Sequence, residues 1–219
     1  MSFPPLEDFI KNCRKVYATT YNENKLSPED DAWKQMREPL MFIKTPSEFV
    51  TEGYPIVIPH NYVLVEEIRL GAVIGKTCKK VSVEDALDYV GGYCLAFDMT
   101  AASEWRKAAP QGAPWAKVKS FDKSCAVSGF IPKSVISDPS NVEMFTTIND
   151  DPPQTGNTNG WVFSLAQLIN FISRYHTLEP NDVVFGGTGP SPSVIKAGDI
   201  LKGGIKGGVT IEFCVEAEQ

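Results

Sequence analysis

The chain has 219 residues, a net charge of −6, and hydrophobic and charged fractions of 42% and 22%. That length suffices for one sizeable core. The acidic balance without a basic block argues against nucleic acid or an anionic membrane surface as partner.

Five cysteines, Cys13, Cys78, Cys94, Cys125 and Cys214, are scattered without a CxxC pair. An odd, dispersed set fits a reducing compartment better than a disulfide framework or a zinc cage. No apolar run reaches membrane-spanning length. The start, MSFPPLEDF, lacks the early basic residues of a leader, so the expected compartment is cytoplasmic, with a mitochondrial location left open.

In chain order, residues 7–18 (EDFIKNCRKVYA) open as a helix or a strand. In SPEDDAWKQMRE, Ser27 suits an N-cap and Pro28 the first helical position, which predicts a short helix. LMFIK and YPIVIP are short apolar runs bounded by Pro and Gly, hence strands. VLVEEIRLGAVIG reads as one strand. Leu64, Glu66, Ile68, Leu70, Ala72 and Ile74 form one largely apolar face, and Glu67 and Arg69 stand on the other. SVEDALDYV predicts a helix from Ser82, ended by Gly91 and Gly92, and YCLAFDMTA the next strand. Leu165, Leu168, Ile169 and Ile172 form a helical stripe. NDVVFGG and ILKGGIKGGVTIEFCVE predict strands joined by glycine turns. There are no internal repeats and no low-complexity linker. The expected fold class is α+β, β-rich, with a few helices packed outside.

Common catalytic signatures are missing: no G-x-S-x-G elbow, no phosphate-binding P-loop, no HExxH. The two histidines, His60 and His176, stand far from other ligand types in sequence and read as structural or solvated.

Three stretches, EEIRLGAVIGK, DALDYVGGYCLAFDMTA and GAPWAKVKSFDKSCAVSGF, resemble the fumarylacetoacetate hydrolase family. They resemble especially its branch of small acylpyruvate hydrolases and oxaloacetate decarboxylases. MFIKTPSEF and TLEPNDVVFGGTG add weaker similarity. The resemblance implies a mixed β-sandwich roll with short peripheral helices. Residues 1–40 would form a divergent lid segment and residues 41–219 the catalytic-type part, together one structural domain. It also implies a homodimer and a small anionic keto-acid ligand. Mg²⁺ or Mn²⁺ would be held by three carboxylates, two from an E-x-E strand and one from the DMTA-type strand. Such an ion suits hard oxygen donors and stabilises an enolate as a Lewis acid.

Carried over by position, Glu67 and Asp98 match the first and third metal ligands, while Arg69 occupies the second. Lys119, Glu23 and Thr188 match catalytic positions. Tyr17, Lys44, Arg69 and Thr188 are expected to contact substrate. Thr20 stands where the water-activating histidine belongs, and Ala102 and Ser103 replace an Arg-Asp pair. Glu66 could join Glu67 only through a bulge, because adjacent strand residues point to opposite faces.

By pattern alone, a Glu and an Arg two apart on a half-exposed strand are a solvated pair of small energetic consequence. The bland reading of Lys119 is an exposed strand lysine, and of Thr188 an ordinary turn residue. The resemblance places all of them at the site. Three carboxylates and a dication sum to −1, as do Glu67, Asp98 and Arg69 without a metal. A dication beside the guanidinium would meet about 8 kcal/mol of repulsion at about 4 Å and an effective dielectric of about 20. Arg69 is therefore expected to replace the metal, leaving Mg²⁺, Mn²⁺ or no cofactor at all as the alternatives. Two readings follow. The first is a family member with a degraded metal site and weak or lost activity, kept as an anion-binding protein. The alternative is an active acylpyruvase or oxaloacetate decarboxylase with a modified site, decarboxylation being favoured because it needs no water-activating histidine.

Overall fold

The computed structural model describes residues 5–23 and 37–219. The helix expected from Ser27 lies outside the described residues. Strand is the commonest element, arranged in three sheets among the described residues.

The largest sheet runs in the order β2 (Leu40–Lys44), β1 (Val16–Thr20), β13 (Val183–Thr188), β6 (Ile68–Ile74), β7 (Val90–Asp98), β9 (Cys125–Val127) and β3 (Phe49–Thr51). β10 (Ile131–Pro132) also pairs with β7. A second sheet is ordered β12 (Gln154–Asn157), β11 (Glu143–Ile148), β15 (Ile200–Ile205), β16 (Thr210–Ala217) and β4 (Ile56–Ile58). The third joins β14 (Ser193–Ile195), β5 (Leu64–Glu66) and β8 (Thr100–Ala101). The α-helices among the described residues are short: α1 (Phe9–Asn12), α2 (Ala102–Ala108), α3 (Ala116–Lys119) and α4 (Leu165–Tyr175). This is the mixed, strand-rich α+β fold that the sequence suggested.

Several elements follow from local chemistry. In α4, Ser164 and Gln167 form a reciprocal capping box, and Leu165, Leu168, Ile169 and Ile172 are buried, as the stripe requires. β15 and β16 form a hairpin whose turn passes through Gly207 at φ +74°, a conformation that favours glycine. Residues 7–18 contain both alternatives, α1 and then β1.

Two expectations are corrected. SVEDALDYV forms only a 3₁₀ turn, Ala86–Tyr89, opened by hydrogen bonds between Ser82 and Asp85. Gly91 and Gly92 do not stop a helix but belong to β7. A Cβ on Gly91 would lie 2.2 Å from Leu6 Cδ1 and 3.1 Å from the Gly75 backbone, so the glycine is there for close packing. The second correction concerns VLVEEIRLGAVIG. It breaks at Glu67 into two strands that belong to different sheets. Every residue of β6 is buried. Ile68, Leu70, Ala72 and Ile74 face one apolar cluster with Phe97, and Val73 faces another with Phe9, Cys94 and Phe185. The face read as half-exposed is therefore interior, and Arg69 goes inside with it.

Candidate active site

The break at Glu67 creates the site. Freed from both ladders, Glu67 keeps only its carbonyl tied to the Asp98 N–H, at 2.9 Å. Its side chain turns to a cavity of about 560 Å³ lined by Arg69, Lys119, Thr188, Glu23 and two tryptophans, Trp115 and Trp161, among others. Glu66, one residue earlier, points away from it. Its carboxyl is buried with no hydrogen bond of ordinary geometry, near Thr146 and the backbone at Ser193. Burial, and then the charge of Glu67, push its pKa up to about 8.

Arg69, 1% exposed, is the centre of the arrangement. Its Nη1 donates to the carbonyls of Thr19 (2.8 Å) and Gly186 (2.7 Å). Nη2 donates to Glu67 Oε2, and Nε lies 2.7 Å from Asp98 Oδ2 as an ion pair without the alignment of a hydrogen bond. The Gly186 carbonyl is available because the pairing of β13 with β6 shifts register between Phe185 and Thr188. Trp161 holds that irregularity: its Nε1 donates to the Thr188 carbonyl at 2.8 Å, and its indole lies where a Cβ on Gly186 would be, 2.2 Å away.

Lys119 supplies the second cation. Its Nζ reaches Glu67 Oε1 at 2.8 Å and Asp98 Oδ2 at 3.3 Å. It sits in α3, not in the strand of the bland reading, and is 2% exposed. Thr100 Oγ1 donates to Glu67 Oε1 at 2.5 Å. Behind Asp98, Lys44 pairs with Asp98 Oδ1 and Glu48 Oε2, both at 3.2 Å, and donates to Ser124 Oγ at 2.8 Å. Glu48 is fixed in turn by Ser124, Ser120 and the Thr45 N–H. The Phe42 ring faces the cations, with Lys119 Nζ 5.0 Å and the Arg69 guanidinium carbon 5.8 Å from its centroid.

Three cations, Lys44, Arg69 and Lys119, thus balance three carboxylates, Glu48, Glu67 and Asp98. Burial alone would raise the pKa of Asp98. Lys119, then Lys44 and Arg69, reverse that and hold it far below the ordinary carboxylate range. Glu67 is also lowered: burial opposes the shift, and Lys119 and Arg69 overcome it. Both acids are carboxylates at neutral pH and both are already neutralised by the protein.

These residues do not fit a divalent ion. Among the described residues no three His, Cys, Asp or Glu side chains converge as a ligand set. The two acids expected as metal ligands hold a guanidinium and an ammonium between them.

The structure brings together Glu67, Arg69, Asp98, Lys119, Thr188 and Glu23. The Thr188 N–H and Oγ1 donate to Glu23 Oε1 at 2.8 and 2.9 Å. Thr20 and Ala102 line the same cavity, while the Ser103 hydroxyl accepts from the Val63 N–H. Two expected substrate contacts are corrected. Tyr17 is 2% exposed and packs its ring on His176, with centroids 5.4 Å apart, away from the cavity. Lys44 is fully buried on the far side of Asp98, so it braces the acid and is cut off from any ligand. Sequence reasoning missed Glu48, Ser124, Thr100, Phe42 and Trp161. Two had local signals: Phe42 shares a face of β2 with Lys44 two residues on, and Glu48 closes a capping box with Thr45.

Known proteins share the sequence and fold of this chain. A mitochondrial oxaloacetate tautomerase of Caenorhabditis elegans is 39% identical over 181 residues, covering 82% of this chain and 85% of that protein. A mitochondrial oxaloacetate decarboxylase of Dictyostelium discoideum is 39% identical over 172 residues, 78% of this chain and 79% of that one. The crystal structure of fumarylpyruvate hydrolase from Pseudomonas aeruginosa in complex with Mn²⁺ and pyruvate superposes with a TM-score of 0.86. It is 25% identical, over 94% of this chain and 91% of that one. Residues 12–216 match the family described as fumarylacetoacetate (FAA) hydrolase C-terminal, and with that span matched the chain belongs to the fumarylacetoacetate hydrolase family.

Proposed function

We propose that this chain is an active enzyme acting on a small 2-oxo carboxylate of the oxaloacetate type, by a reaction that passes through an enolate. Tautomerisation and decarboxylation share that requirement. In the first, the C3–H bond breaks and its electron pair forms C2=C3. In the second, the C3–C4 bond breaks, CO₂ leaves and the same double bond forms. Either way negative charge gathers on the C2 oxygen, and preorganised donors there lower the barrier.

The observation that carries the reading is the position of Lys119, an ammonium lining the cavity whose two partners among the described residues leave one of its three N–H donors for a ligand. Arg69 also lines the cavity and keeps one Nη2 hydrogen without an acceptor among the described residues. Together they bind the C1 carboxylate and the C2 oxygen. Glu23 carries the proton: its Oε1 is fixed by Thr188, and Oε2 has no hydrogen bond among the described residues. The names of the relatives, oxaloacetate tautomerase and decarboxylase, support this reading over the degraded-site reading placed first from the sequence. Those relatives are also named as mitochondrial, which supports that compartment for this chain. Assembly as a homodimer rests on the resemblance alone.

A second reading, anion binding without turnover, is favoured by one feature: Glu67 and Asp98 are both already tied to Arg69 and Lys119. Oxaloacetate keto–enol exchange and pyruvate release, measured with native protein and Lys119→Met, separate the two. Turnover by the native protein and at least a hundredfold loss in the variant support the enzyme. Saturable oxalate binding without turnover supports the second reading and overturns the first.

A further inference from the structure

We propose that the guanidinium of Arg69 is a permanent, covalently attached replacement for a divalent cation. The native chain then binds neither Mg²⁺ nor Mn²⁺ at this site, and reversing one charge opens it to them. Arg69 is held entirely by oxygen: two carboxylates, Glu67 and Asp98, and two backbone carbonyls, Thr19 and Gly186. Oxygen donors of this type suit a hard cation. They come from four separate places: β1, the break before β6, β7 and the irregularity in β13. Converging oxygens from separate elements repel one another unless a positive charge sits among them. Here that charge is a side chain, so closing the site does not depend on an ion from solution. A guanidinium stays charged at every pH a protein tolerates, and its fork matches two acceptors at once. Burial here would disfavour the charged form, but Glu67 and Asp98 raise the Arg69 pKa instead.

The Asp98 side of the cluster is anchored independently by Lys44 and Glu48, which do not line the cavity. In Arg69→Glu a third carboxylate would therefore join Glu67 and Asp98 on a frame held from behind. The inference concerns cation binding and stands apart from turnover.

The test is titration of native protein, Arg69→Glu and Arg69→Gln with MnCl₂, followed by calorimetry and by the loss of free Mn²⁺ signal in electron paramagnetic resonance. Native protein is expected to show no saturable site, and Arg69→Glu a site at least tenfold tighter than any native binding. Folding of Arg69→Glu only when Mn²⁺ is present also supports the proposal. Saturable binding by native protein that Asp98→Asn abolishes overturns it. So does a folded Arg69→Glu that binds no better than native protein. If Arg69→Glu folds under neither condition, Arg69→Gln decides: a gain of Mn²⁺ binding over native supports the proposal, and no gain overturns it. Turnover fails or survives in a separate assay, so the two readings are tested independently.

Discussion

Arg69 Nε and Asp98 Oδ2 lie 2.7 Å apart with both side chains shut off from solvent, 1% and 0% exposed. They belong to neighbouring antiparallel strands, β6 and β7, in which Arg69 pairs with Ala96. A guanidinium placed there without its acids would be a buried, uncompensated charge. With them it becomes the tie between two strands and the broken end of a third. Removing either partner leaves the other stranded, which is more damaging than the pair is stabilising.

Arg69→Met should therefore lower unfolding stability by about 3–5 kcal/mol, the range for breaking a buried pair. Arg69→Lys should recover little of it. One ammonium cannot span Glu67, Asp98 and the carbonyls of Thr19 and Gly186. Urea denaturation measures both. A loss below about 1 kcal/mol, the range of exposed pairs, would show that the cluster is open to water.

The pH dependence of stability should show two opposed contributions. Glu66, with its pKa at about 8 when folded and about 4.3 when unfolded, keeps its proton only in the native state between those values. Its contribution is complete below about pH 4 and is lost as pH rises towards 8. Asp98 and Glu67 are lowered on folding, so theirs is present above about pH 4 and lost as pH falls through their folded values. The urea midpoint should be higher at pH 5 than at pH 8.5. Glu66→Gln should remove most of that slope, and an unchanged slope would assign it to other groups.

Gly186→Ala tests the wall of the site. Its Cβ would lie 2.2 Å from the Trp161 indole, so ring or strand must move. A cost of about 1–3 kcal/mol is expected for such overpacking. Movement of the indole would break its bond to the Thr188 carbonyl and change tryptophan fluorescence. Unchanged fluorescence and stability would mean that the irregularity in β13 does not need the ring.

Thr188→Val separates binding from fold. The backbone N–H of residue 188 still holds Glu23 Oε1, while the hydroxyl bond is lost. Stability should fall by about 1 kcal/mol, one ordinary hydrogen bond. Oxaloacetate turnover should drop at least tenfold as Glu23 loses its second restraint. Full activity in the variant would remove Glu23 from the proton path.

Much of the frame was legible in the sequence. The stripe through Leu165 and Ile172, the apolar face of Ile68 to Ile74 and the hairpin glycines are local signals, and they survive folding unchanged. Two things were not legible for physical reasons. Alternation suggested a solvent face for Arg69, but whether a second layer covers that face is decided by residues far along the chain, here Phe185 and Phe9. Strand continuity likewise hid the break at Glu67, which arises because residues on its two sides pair into different sheets. Likeness to a family pointed to Glu67, Asp98 and Lys119, which meet in the structure, and to Lys44 and Tyr17 as substrate contacts, which lie away from the cavity. The spacing of residues along a strand does not say which side of Asp98 a lysine will take. The supporting acid Glu48 had a local signal only for its turn, as the acid of a Thr45–Glu48 capping box, while its contact with Ser120 and Ser124 depends on tertiary packing.

The positive charge at this site comes from Arg69 and Lys119, side chains of the protein itself. The decisive measurement is the rate of oxaloacetate keto–enol exchange by native protein stripped with a chelator, then measured again in excess Mn²⁺. The same rate in both, within about twofold, is expected, since Lys119 and Arg69 are present throughout. A rate that vanishes on chelation and returns with Mn²⁺ would mean that an ion, and not Arg69, supplies the charge.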